Sequence, residues 1–91
     1  MITLLEIKKE PSHILKIYNT LEKNIPYTIG GIEITDFEVL DNEIVYKLED
    51  NSFVKITNQK TFLLISYITD CTNDNFDKIK QGVLKMFSLV I

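Results

Sequence analysis

One cysteine, Cys71, and one histidine, His13, are the only residues that could form a nucleophile and base pair of the thiol–imidazole kind. A thiolate of that sort needs the imidazole within hydrogen-bond reach and a third group to orient it. The sequence offers no such third group, and His13 falls at the boundary of an apolar helical stripe, beside Ile17, where a half-exposed structural histidine is the simpler reading. Glu33, Asp36 and Glu38 share one extended run and could do acid/base work only if folding brought a further carboxyl to them. A solvated acidic strand face explains them without that requirement.

Residues 70–77, DCTNDNFD, have oxygen ligands at Asn73, Asn75 and Asp77 in the rhythm of a calcium loop. The loop's glycine is missing at the sixth position, which is Lys78, and its closing glutamate at the twelfth, which is Leu84. Asn73 or Asp74 capping a helix, with Asp77 in its first turn, accounts for the composition. Lys78 and Lys85 share the outer face of that helix and make a weak anion footprint. Glycine-rich phosphate loops, zinc spacings and nucleophile elbows are absent from the sequence. The expectation is a chain without catalytic residues, cofactor or metal, and not an enzyme.

Charge is distributed unevenly. Residues 31–50 hold Glu33, Asp36, Glu38, Asp41, Glu43, Glu49 and Asp50 against Lys47, a net −6, while the whole chain is −3. The flanks are therefore mildly basic. All ten cations are lysine, and without arginine's planar fork a nucleic-acid partner is disfavoured. The longest apolar stretches are far shorter than the roughly 20 residues that cross a bilayer, and the start, MITLLEIKKE, lacks the basic and small-residue regions of a secretory leader. Cytoplasmic residence is the expectation, and a lone cysteine suits a reducing compartment.

With 91 residues and 45% apolar composition, residues 1–91 should form a single α+β domain. Ile14, Ile17, Tyr18, Leu21 and Ile25 recur at helical spacing between Pro11 and Pro26, which predicts a helix over about 12–24. Residues 2–9 suit either an extension of that helix or a short strand. Gly30 and Gly31 mark a turn or bulge. Four strand-like runs follow at about 32–40, 44–48, 53–57 and 61–69, joined by short Asn/Asp-containing links that imply an antiparallel meander. A second helix starts near Asp74, with Phe76, Ile79, Val83, Met86, Phe87 and Val90 on one side. Gly82 lies at its flank and costs about 1 kcal/mol relative to alanine unless another backbone approaches closely there. The fold class is thus an N-terminal helix, a four-stranded antiparallel β-meander and a C-terminal helix.

The run at 61–69, TFLLISYIT, is apolar on both faces of a strand: Phe62, Leu64 and Ile68 on one, Leu63, Ile65 and Tyr67 on the other. Pairing Val39 with Ile44 and Leu48 with Phe53 gathers Phe37, Val39, Ile44, Tyr46, Leu48, Phe53, Phe62 and Leu64 on the better core face. Leu40, Val45, Val54, Ile56, Leu63, Ile65 and Tyr67 fall on the other, and a single bulge would exchange assignments. That second face is too apolar to stand bare in water.

Three functional classes follow. The first is a non-enzymatic protein-binding or regulatory protein, a homodimer through Leu63, Ile65 and Tyr67 or through the C-terminal helix, with Glu33, Asp36 and Glu38 facing a basic partner. In that class the acidic hairpin could also imitate nucleic-acid charge. The second is a small-ligand-binding or sensory domain with a pocket lined by Tyr18, Tyr46 and Tyr67. The third is a small enzyme using His13, Cys71 or paired carboxylates.

Overall fold

Residues 2–9, open between helix and strand, form strand β1 (Ile2–Lys8), and Pro11 explains why the helical stripe does not run back through them. Proline is tolerated at the first helical position, where its missing N–H has no partner to lose, but clashes further in. Helix α1 (Pro11–Lys23) therefore starts at Pro11 and buries Ile14, Ile17, Tyr18 and Leu21. It ends at Asn24, whose backbone N–H and side-chain amide both donate to the Thr20 carbonyl. The computed structural model describes residues 1–69 and 75–89. Cys71 and the expected caps Asn73 and Asp74 lie outside them.

Five further strands follow α1: β2 (Thr28–Ile29), β3 (Ile32–Val39), β4 (Glu43–Leu48), β5 (Phe53–Asn58) and β6 (Phe62–Ile68); helix α2 (Phe76–Ser88) comes last. The architecture is α+β with one antiparallel sheet, as expected, but among the described residues the sheet has six strands, in the order β1-β6-β5-β4-β3-β2. The two additional strands are β1 and the two-residue β2. Although β1 and β2 stand at opposite ends of this order, α2 touches both. The sheet is therefore curled around its inner face, with α1 against β5 and β6.

Both helices join the inner-face strand residues in one core: Ile44, Tyr46 and Leu48 of β4, Val54 and Ile56 of β5, Leu63, Ile65 and Tyr67 of β6, and Ile79, Val83 and Phe87 of α2. The expected division of faces needs correction at the β4–β5 turn. Leu48 does not oppose Phe53; Lys47 does, and Tyr46 opposes Val54. The cause is a three-residue loop in which Asn51 takes φ +66, the Asn51 N–H donates to the Leu48 carbonyl, and the Leu48 N–H donates to the Ser52 carbonyl. A type I turn followed by a left-handed residue is a common hairpin closure, and asparagine tolerates that conformation better than most residues. A slip of one residue reverses every side chain downstream. Leu63, Ile65 and Tyr67 consequently face the helices, while Phe62, Leu64 and Ile68 share the outer face with Phe53 and Val45, all half-buried.

Two contacts fix α2 on this frame. At the β2–β3 turn, Gly30 and Gly31 have φ +61 and +81, the paired left-handed values of a two-residue hairpin between Ile29 and Ile32. Backbone meets backbone at this turn, because a Cβ on Gly30 would fall 2.0 Å from the Lys78 carbonyl oxygen, and one on Gly82 would fall 2.1 Å from the Gly30 nitrogen. Close approach thus occupies the flank of α2 where Gly82 lies.

At the other end, Asp50 accepts hydrogen bonds from the Ser52 hydroxyl and backbone N–H, while Asn75, the residue before α2, donates its amide to Asp50 at 3.0 Å. Burial alone would push the Asp50 carboxyl up, yet these donors outweigh it and hold the group below its ordinary value.

Alanine at position 82 should reverse the usual helix preference. Gly→Ala in a helix interior ordinarily stabilises by about 1 kcal/mol; Gly82→Ala and Gly30→Ala should instead each lower stability by roughly 2 kcal/mol through overpacking. Gly31→Ala, where a Cβ meets open space, should cost only about 1 kcal/mol for its positive φ. Urea titrations of the three variants check this, and a more stable Gly82→Ala protein would refute the contact.

Asp50 gives a pH signature. Its folded pKa lies below the unfolded value, so its contribution is complete above the unfolded value of about 3.9 and disappears as pH falls through the folded one. Asp50→Ala should cost about 1–2 kcal/mol at pH 7 through lost charged hydrogen bonds. The gap from the unchanged protein should close as pH falls from the unfolded value through the lower folded one in denaturant titrations; a constant gap would contradict this account.

Candidate functional site

Pro26 terminates the pairing at one end of the sheet. Thr28 opposes Glu33, Ile29 opposes Ile32, and the Tyr27 carbonyl accepts from the Ile34 N–H; the next residue back is proline, which has no N–H to extend the ladder. A bulge between Ile34 and Asp36 follows in β3. From Thr35 to Val39, β3 is therefore paired with β4 on one side and, among the described residues, has no strand on the other.

The direction of the free groups follows from alternation. Leu40 N–H donates to the Glu43 carbonyl on the β4 side, so in an antiparallel ladder Phe37 and Val39 direct their N–H and C=O groups outward. The Phe37 N–H donates to the Asp36 Oδ1 at 2.9 Å. Natural sheets commonly protect edge strands with charges, bulges and short pairing of this kind.

Side chains complete the site. Phe37 opposes Tyr46 and Val39 opposes Ile44, so both prolong the inner apolar face, but they are 50% and 42% exposed while Tyr46 and Ile44 are fully buried. Leu40 beside them is 42% exposed. Asp36 and Glu38 project from the other face of the same strand, across from Lys47 and Val45. Glu33 sits at the start of β3, where Glu49 lies close enough for its Oε1 to accept from the Glu33 N–H at 3.5 Å. The edge thus presents alternating apolar and acidic side chains over main-chain groups that no described strand pairs.

Of the expected contact residues, Glu33, Asp36 and Glu38 are exposed along this edge. Leu63, Ile65 and Tyr67 are not at a surface: they are 0%, 0% and 1% exposed, beneath the protein's own helices. The correction has the same origin as the reversed register at Asn51. Sequence reasoning placed Phe37 and Val39 in the core and so missed them as surface groups. Pro26, read only as a helix stop, was the available signal, because it leaves an eight-residue strand beside a two-residue one.

The tyrosines of the expected pocket are core residues, with Tyr18, Tyr46 and Tyr67 at most 2% exposed. Tyr67 packs against Phe76 with ring centroids 5.9 Å apart. Grooves of about 730 and 500 Å³ exist, but other residues line them: the larger lies between the β2–β3 turn and α2, beside Pro26, Lys78, Gly82 and Met86, and the smaller at the β3–β4 turn. Burial, then the charges of Glu22, Glu43 and Asp41, push the Tyr18 hydroxyl up to about 12; burial, then Tyr18, does the same to Tyr46. Both remain neutral at physiological pH. His13 is exposed on α1, and among the described residues no three His, Cys, Asp or Glu side chains are placed to hold a metal ion. No described helix is long and apolar enough to cross a membrane.

Comparisons with known protein families, with curated proteins and with solved structures gave no match. The functional reading therefore rests on the geometry of the chain itself.

Tyr18 and Tyr46 have buried hydroxyls with no hydrogen-bond partner among the described residues. An unmet buried hydroxyl costs about 1–3 kcal/mol, so Tyr46→Phe should melt no lower than the unchanged protein and should gain up to about 1 kcal/mol. A clear fall in melting temperature would show that the hydroxyl is satisfied, by an ordered water for example.

Proposed function

We propose that this chain is a non-enzymatic interaction protein that captures an extended segment of another protein along the free edge of β3, and regulates or inhibits that protein by occupying the segment. The observation that carries this reading is the exposure of Phe37 and Val39 on a strand whose outward main-chain groups have no neighbouring strand among the described residues. Strand addition draws affinity from main-chain hydrogen bonds and specificity from side chains at alternate positions. The edge supplies both, and its surroundings supply charge.

The acidic run favours a basic partner over a second copy. Two β3 strands paired antiparallel about Phe37 would set Asp36 of each against Glu38 of the other, and like charges directly opposite are destabilising. A basic partner meets the same groups with attraction and a faster encounter. The homodimer expected through Leu63, Ile65 and Tyr67 would need the core to open, since those side chains are covered within one molecule.

Val39→Pro tests the reading. Proline is compatible with an outward-facing position on an edge strand and removes its N–H from any incoming partner. A partner cross-linked to the protein in extracts of its native host, then purified, should bind Val39→Pro at least tenfold more weakly, with Lys85→Glu on α2 as a distant control that binds normally. Phe37→Thr, which keeps the backbone and removes the ring, should weaken binding by a similar factor if Val39→Pro lowers the melting temperature. Equal binding by both edge variants would overturn the proposal.

A further inference from the structure

The Asp36 carboxylate does more at this edge than repel a second copy, and its role rests on the reading of β3 as a docking strand. From the hydrogen bond that Phe37 N–H donates to Asp36 Oδ1, we infer that Asp36 is a removable guard of the edge, released by a lysine or arginine on the incoming strand. Phe37 is one of two residues whose main-chain groups face outward between Thr35 and Leu40, so a partner cannot form its central pair of hydrogen bonds while the carboxylate holds that N–H. Its displacement exchanges a charge-assisted bond for a neutral one, which is unfavourable unless the carboxylate is met elsewhere.

A cation supplies that compensation. On an added strand, the residue opposite Asp36 projects from the same face of the sheet at about 5 Å, within reach of a lysine or arginine side chain. The next cation, two residues along, meets Glu38, while the intervening residues fall beside Phe37 and Val39 on the apolar face. The segment recognised is therefore an extended one of alternating basic and apolar residues. A neutral strand finds the Phe37 N–H still occupied, and an acidic strand adds repulsion. Charge recognition and main-chain pairing become a single event, which keeps the edge closed to indiscriminate strands.

Three synthetic eight-residue peptides, alternating Lys-Val, Thr-Val and Glu-Val, separate the possibilities. Each is N-methylated on alternate residues so that it can pair along one edge only, and binding is followed by amide exchange at Phe37 and Val39 and by titration of their NMR signals. The unchanged protein should bind the Lys-Val peptide at least tenfold more tightly than Thr-Val, should show no binding to Glu-Val, and should lose the preference in 1 M salt. Asp36→Asn keeps an oxygen that can accept from the Phe37 N–H but lacks the charge, and should lose at least tenfold in Lys-Val binding while gaining nothing toward Thr-Val. Asp36→Ala removes guard and charge together, and should bind Thr-Val about tenfold more tightly than the unchanged protein does.

Failure of Asp36→Ala to improve Thr-Val binding, with Lys-Val still protecting the β3 amides of the unchanged protein, would overturn the guard and leave the docking strand intact. Absence of amide protection by every peptide in every variant would overturn the docking strand itself.

Discussion

The contact between Gly30 and the backbone of α2 is the constraint on which the rest of the molecule depends. An antiparallel sheet of six strands twists of its own accord, but twist alone does not bring its first and last strands to the same helix. Here α2 reaches both β1 and β2, and it does so because neither Gly30 nor Gly82 carries a side chain that would hold the turn and the helix apart. The curl that results lets two 13-residue helices roof one face of the sheet. A small chain can then build one core rather than two incomplete ones, which matters because a domain of this size has little burial to spare.

That one-sided arrangement was only partly legible in the sequence. The helical stripes of α1 and α2 and the four long strands were readable because each signal is local: apolar residues at 3.6-residue or two-residue spacing, with proline or asparagine at the ends. The faces were not, because their assignment depends on the conformation of a single loop residue. Asn51 in the left-handed region shortens the β4–β5 loop to three residues, and everything beyond it inverts. Nothing in the spacing of EDNS distinguishes three loop residues from four. Strand β6 is apolar on both sides, yet helices cover only its inner side; Phe62, Leu64 and Ile68 on its outer side are half-buried among their sheet neighbours alone.

The candidate site was legible in its charges and illegible in its shape. Glu33, Asp36 and Glu38 announce themselves as an acidic run in any reading of the chain. The free edge beneath them depends on strand order, which brings β1, the first strand in sequence, beside β6, the last, and thereby leaves β3 with only the short β2 outside it. Such non-local pairing has no sequence period. Phe37 and Val39 look like core residues because they alternate like core residues, and by register they do extend the core face; the sheet simply continues past the area the helices cover.

An edge of this composition also resolves a conflict that small sheets face. A strand with exposed apolar side chains and free main-chain groups invites pairing with any extended chain. Shortening or burying it would remove the hazard and the proposed binding surface together. Acidic residues on the opposite face leave the main-chain groups in place while making the approach of most strands, including β3 of another copy, electrostatically costly. Because such repulsion is screened within about 10 Å at moderate salt, it acts at the range where strands begin to pair and hardly beyond. The bond from the Phe37 N–H to Asp36 adds a local obstacle that salt does not screen in the same way, since donor and acceptor are already in contact. In the proposed reading, charge repulsion over several ångströms and occupancy of one N–H by contact guard the same few residues by different physics, and a basic, alternating partner would relieve both at once.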